Sequence, residues 1–195
     1  YSSAASDVYK RQAVFPSASL DYRGGGLAAL RAINLVRRLG SAGFRRAIFS
    51  NLCVFSGALF DRDADFSEAV FEDEAAFGGA VFKHRADFTN TRFAKRASFS
   101  FAEFSEMTRP SFLESTFNES AWFKRCKFLH GADFTRATFE GEAVFDGASF
   151  SVAPGFSGTV FKNRVDFGDV AFAGGVNFGF ATFLGPAEFR HTQFG

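Results

Sequence analysis

From residue 44 to residue 194, phenylalanine returns at alternating steps of five and six residues. Of the 31 Phe in the chain, all but Phe15, Phe101 and Phe180 stand on this ruler. A single step, from Phe104 to Phe112, breaks it. Two residues before each ruled Phe stands a compact residue, Ala in 17 cases and otherwise Thr, Val, Cys, Pro or Ser. The paired slots therefore share one environment, and few backbone geometries can supply it.

An α-helix cannot. At about 100° per residue, steps of five and six scatter successive Phe around the axis, and no apolar stripe forms. In a strand, residues i and i−2 point to the same face and i−1 to the other. Phe and its Ala then face inward, with a variable residue between them facing out. The residues after each Phe are rich in Gly, Ser, Asp, Asn, Lys and Arg, as a solvated corner requires. Each unit is strand then turn, with an apolar face too narrow to be stable alone. Units must stack so that neighbouring coils share a core, which defines a β-solenoid.

The central Phe with Ala two places earlier, carried from residue 42 to residue 194, resembles the Phe-centred branch of the pentapeptide-repeat family. The resemblance implies an all-β, right-handed quadrilateral β-helix with four short sides per coil. Two 11-residue units per coil put residues 22 apart in register, so Asp63 is expected beside Arg85, Glu74 beside Arg96 and Glu142 beside Arg164. At four sides per coil the ruled Phe make seven coils, a rod of about 34 Å at ~4.8 Å per rung. The residues between Phe104 and Phe112 exceed the expected step by two and are placed in a corner bulge as an insertion, with a recognition loop as the sharper reading.

Outside the repeat the chain reads differently. Residues 1–12 (YSSAASDVYKRQ) resemble a translated sequencing linker and are set aside, which implies a fragment of a longer, bacterial protein. Residues 1–26 as a whole are expected to be linker, poorly ordered. LAALRAINLVRRL, followed by Gly40, predicts a short helix over residues 27–40 that caps the solenoid of residues 41–195.

No catalytic or metal-ligating constellation appears, and no cofactor is expected. His84 and His130 fall on one corner but two coils apart, too far to share a metal, and His191 falls on another. Cys53 and Cys126 both occupy the small inward slot and read as buried thiols in a reducing, cytoplasmic setting. No apolar run approaches the roughly 20 residues of a spanning helix. On one side the outward column reads Ile48, Val70, Arg92, Thr116, Thr138, Val160 and Thr182, a flat and weakly polar strip suited to docking a protein or a second copy of the chain.

The expected function is thus a non-enzymatic structural or protein-interaction module, with a homodimer as one form of it. The family resemblance implies an alternative, since some members mimic duplex DNA and bind type II topoisomerases, protecting them from inhibitors. That role needs a strongly negative rod, whereas residues 41–195 carry 16 Lys and Arg against 19 Asp and Glu. Direct nucleic-acid binding is disfavoured by the same near-neutral balance.

Overall fold

The computed structural model describes residues 20–21, 40–105 and 107–195. The helix expected over 27–40 and most of the linker lie outside the described residues; Leu20–Asp21 is a strand paired in parallel with Ala42–Gly43. From there the chain winds as an all-β solenoid whose strands are two residues each.

Four parallel sheets make the four sides. The first runs from Leu20–Asp21 through Ala42–Gly43, Ala64–Asp65 and Ala86–Asp87 and continues as single bridges through Ser111, Asp133, Gly155 and Asn177. Sides two, three and four are seven-stranded and begin at Ile48–Phe49, Cys53–Val54 and Leu59–Phe60. Each strand pairs with residues 22 further on, as Ile48 with Val70 and Cys53 with Ala75. Across the insertion the offset is 24, as for Arg92 and Thr116, and then returns to 22 at Thr116 and Thr138. The two extra residues thus sit in the corner between sides four and one, where the sequence places them.

The alternation of five and six sets the corners. After Phe44 and Phe55 the corner is short, and after Phe49 and Phe60 it carries one more residue. Every short corner in the described chain closes with a hydrogen bond from the residue three places on to the Phe carbonyl, as Ala47 N–H to Phe44 (3.0 Å) and Ala80 N–H to Phe77 (3.0 Å). Its third residue has positive φ, as at Arg46 (60°), Gly79 (65°) and Phe101 (62°), which makes it a type II turn. Among the described residues ten that are not glycine hold such φ values. Each gives up roughly 1 kcal/mol that glycine would not, the least at Asn or Asp. The stack must therefore outweigh the local preference.

Inside, each Phe ring lies over the ring one coil away. Phe66 and Phe88 are 5.0 Å apart with planes 1° from parallel, and Phe77 and Phe99 are 4.8 Å apart, also at 1°. Strand spacing fixes that rise, so the rings stack at the distance the backbone ladder imposes. Phe of the first and third sides meet edge to face across the axis, as Phe66 with Phe77 (5.4 Å, 85°). The compact residue of each unit fills the remaining volume. Where it carries a hydroxyl or thiol, a backbone carbonyl accepts it: Thr91 donates to the Phe66 carbonyl at 2.7 Å, Thr159 to that of Phe134 at 2.7 Å, Cys126 to that of Phe99 at 2.8 Å and Cys53 to that of Asn51 at 3.4 Å.

This packing separates two substitutions. Phe77 is fully buried, with stacked rings above and below, so Phe77→Ala should lower stability in urea by about 3 to 5 kcal/mol, because neighbouring coils cannot collapse into the hole. Phe194 is 59% exposed on the last rung, and Phe194→Ala should cost under about 1 kcal/mol.

Candidate interaction surface

With the interior filled by Phe and small residues, chemistry is confined to the outward slots and corners. The seven residues Ile48, Val70, Arg92, Thr116, Thr138, Val160 and Thr182 form one unbroken column on the second side, each in parallel register with the next. Arg92 and Thr182 are exposed and the others half-buried, so the strip is flat and mostly β-branched.

A ladder of ion pairs runs along the long corner beside this strip. Arg96 meets Glu74 at 2.7 Å, Lys95 meets Glu119 at 3.0 Å and Lys162 meets Glu140 at 2.9 Å. Arg164 joins Glu142 one coil below (2.5 Å) and Glu188 one coil above (2.7 Å). Hydrogen bonds donated to Glu188 and to Glu142 raise the Arg164 guanidinium above its ordinary pKa. At another corner Arg46 and Arg45 clamp Glu68, and their hydrogen bonds hold its carboxyl below the usual range. Exposed pairs of this kind are worth little individually; their regular offset fixes coil register.

One expected pair is arranged differently. The Arg85 guanidinium turns to Asp87 on its own chain segment (2.6 Å), and Asp63 instead accepts the backbone N–H of Arg85 at 3.3 Å. Asp87 is 6% exposed and also accepts the Thr89 N–H, so it offers the better-ordered carboxylate. The insertion likewise does more than fill a corner. Arg109 reaches two coils up to donate to the Ala153 carbonyl (2.9 Å), strapping three coils together.

The histidines do not converge. His84 and His130 follow strands of the fourth side that are separated by a third strand, and His191 pairs with Asp169 at 3.3 Å on a different corner. No group of His, Cys, Asp or Glu able to hold a metal ion occurs among the described residues. Cys53 and Cys126 are both buried and free, on different sides of the rod. Burial, with the charge of Asp73, pushes the Cys53 thiol up to about 12; burial alone raises that of Cys126.

Sequence reasoning did not single out two residues, one on the third side and one on the corner that follows it. Trp122, the one Trp of the chain, takes an outward slot and has the Arg96 guanidinium 4.8 Å and the Lys124 amine 5.8 Å from its ring centroid. Phe101, one of the three Phe off the ruler, is 62% exposed with Arg125 at 5.9 Å. Their signal was present as departures from the repeat: an aromatic where the pattern has no use for one.

A parallel four-sided solenoid with 22 residues per coil, a Phe core and small residues between is the architecture of a quadrilateral β-helix. The sequence matches the family model of pentapeptide repeats over residues 44–92, 88–138 and 134–182, and the chain belongs to the pentapeptide-repeat family. No curated protein and no solved structure matches it. No helix among the described residues is long and apolar enough to cross a membrane.

The buried thiols make stability depend on pH and give a test of their burial. Both are raised in the folded state, so each contributes stability that is complete below the unfolded thiol pKa of about 8.5 and declines as pH rises above it. The expected result is no reaction of either thiol with a disulfide reagent at pH 8 in the native protein and release of two equivalents on unfolding in urea.

Proposed function

We propose that this chain is a non-enzymatic structural and protein-interaction module that acts in a reducing, cytoplasmic setting. Its rigid surface is what it offers a partner. The observation that carries this reading is the division of labour along the repeat. Every inward position is committed to Phe or a compact residue, and the outward positions form straight columns one rung apart. Such a scaffold presents side chains at fixed spacing with little entropy left to lose on binding.

The column from Ile48 to Thr182 is the proposed docking face, and a second copy of the chain is its simplest occupant. The strip is neutral except at Arg92, and the ion pairs of the adjoining corner keep charge balanced beside it. Many acids along the rod, as Glu74, Glu119, Glu140 and Glu142, are paired with bases one coil away, which argues against a DNA-like anionic track.

Size-exclusion chromatography with light scattering tests the face. The expected outcome is a dimer for the wild-type chain and a monomer for Thr138→Arg, which places a charge in the middle of the strip, with the circular dichroism of the two unchanged. A monomeric wild type, or a dimer indifferent to Thr138→Arg, would contradict the assignment of this face.

A further inference from the structure

A second surface, on the corner between the third and fourth sides, is built for a different occupant. The left-handed position of this corner is glycine in three coils, Gly57, Gly79 and Gly147. In the two coils between Gly79 and Gly147 it is Phe101 (φ 62°) and Arg125 (φ 51°). Phe101 is therefore held in a conformation that disfavours a bulky side chain, and it remains 62% exposed. It receives the Arg125 guanidinium at 5.9 Å and contributes nothing to the core. Phe101 shares its positive φ with nine other non-glycine residues and its exposure with Phe180 (φ 59°, 96% exposed); what sets it apart is the exposed aromatic area beside cations and a second ring.

The surroundings define that use. Lys124 and Arg125 are exposed and form no ion pair among the described residues, whereas the neighbouring bases Arg96, Lys95 and Lys127 are matched to Glu74, Glu119 and Glu103. Trp122 lies beside them, half-buried. One coil below Phe101 the corner is Gly78-Gly79, and a side-chain carbon added at Gly79 would meet nothing within 4 Å. The patch thus combines two unmatched cations, two aromatic rings and an open notch.

We propose that this patch binds an extended acidic segment of a protein partner, its carboxylates on Lys124 and Arg125 and an aromatic or leucine side chain seated against Phe101 over the Gly78-Gly79 notch. A single-stranded nucleic acid would use the same residue types, but the surroundings favour carboxylates. Arg96 already lies over Trp122 and Arg125 over Phe101, which reduces the ring faces left for base stacking. Glu74, Glu103 and Glu119 bound the patch, so there is no continuous basic track for a phosphodiester chain. This surface is separate from the second-side strip, and its test does not depend on Thr138.

Because Trp122 is the only tryptophan, its emission reports on this site alone. The probe is a 12-residue peptide in which pairs of Asp or Glu alternate with Phe and Leu; comparators are the same peptide with Lys for each acid, and a 12-nucleotide oligothymidylate. The expected result is a saturable change in Trp122 emission with the acidic peptide, weakened by added salt and absent with the Lys peptide. Two variants should raise its Kd at least tenfold: Phe101→Gly, and Lys124→Gln combined with Arg125→Gln. Phe101→Gly installs the residue that Gly79 and Gly147 provide, so it should melt at or above the wild-type temperature while losing binding. No saturable change, equal binding by wild type and both variants, or preferential binding of the oligothymidylate would overturn the proposal.

Discussion

Stacking of phenylalanine on phenylalanine, one coil above the next, is the contact on which the rest of this structure depends. The ring separation, 4.8 Å for Phe77 and Phe99, is the same length that parallel strands impose on the backbone. Side-chain stack and hydrogen-bond ladder therefore reinforce one another. A larger residue in place of the ring would force the coils apart, and a smaller one would leave a hole along the axis. The compact residue two places earlier follows from the same geometry, since four rings nearly fill the cross-section and only Ala-sized groups fit between them.

Strands of two residues have almost no stability of their own, and the turns joining them work against the fold wherever a non-glycine residue is held at positive φ. The long-range ladder and the buried rings must supply the difference. Ion pairs along the corners add little energy, yet they discriminate register, because a coil displaced by one side would bring Glu74 and Arg96 to different corners. Core composition and surface charge thus serve separate purposes, the first holding the coils together and the second aligning them.

Much of this was legible in the sequence because the ruler is one-dimensional: the Phe spacing yields stacked units, the family resemblance implies four sides, and together they give 22 residues per coil and the outward column from Ile48 to Thr182. Contacts that depend on side-chain choice were not legible. Arg85 has two carboxylates in reach, and spacing cannot show that it prefers the ordered Asp87 to Asp63. Arg109 spans two coils to the Ala153 carbonyl, a reach set by the path of the insertion. The left-handed residues were hidden as well, since Glu68 and Arg136 carry no local preference for positive φ and adopt it only because the next coil requires the turn. Trp122 on the third side and Phe101 on the corner after it were visible as exceptions, but their nearness to Arg96 and Arg125 emerges only once the coils are stacked.

If coil-on-coil stacking carries the fold, one complete coil should be dispensable. Deleting residues 137–158 joins Arg136 to Thr159 and leaves the step from Phe134 to Phe161 at five, so every ring inside the stack keeps a ring above and below it. Thermal unfolding followed by far-ultraviolet circular dichroism is the direct measurement. Independent, additive coils predict a β spectrum and a cooperative transition at a modestly lower temperature, from a rod about 5 Å shorter. An unfolded or aggregated deletion variant would contradict the account.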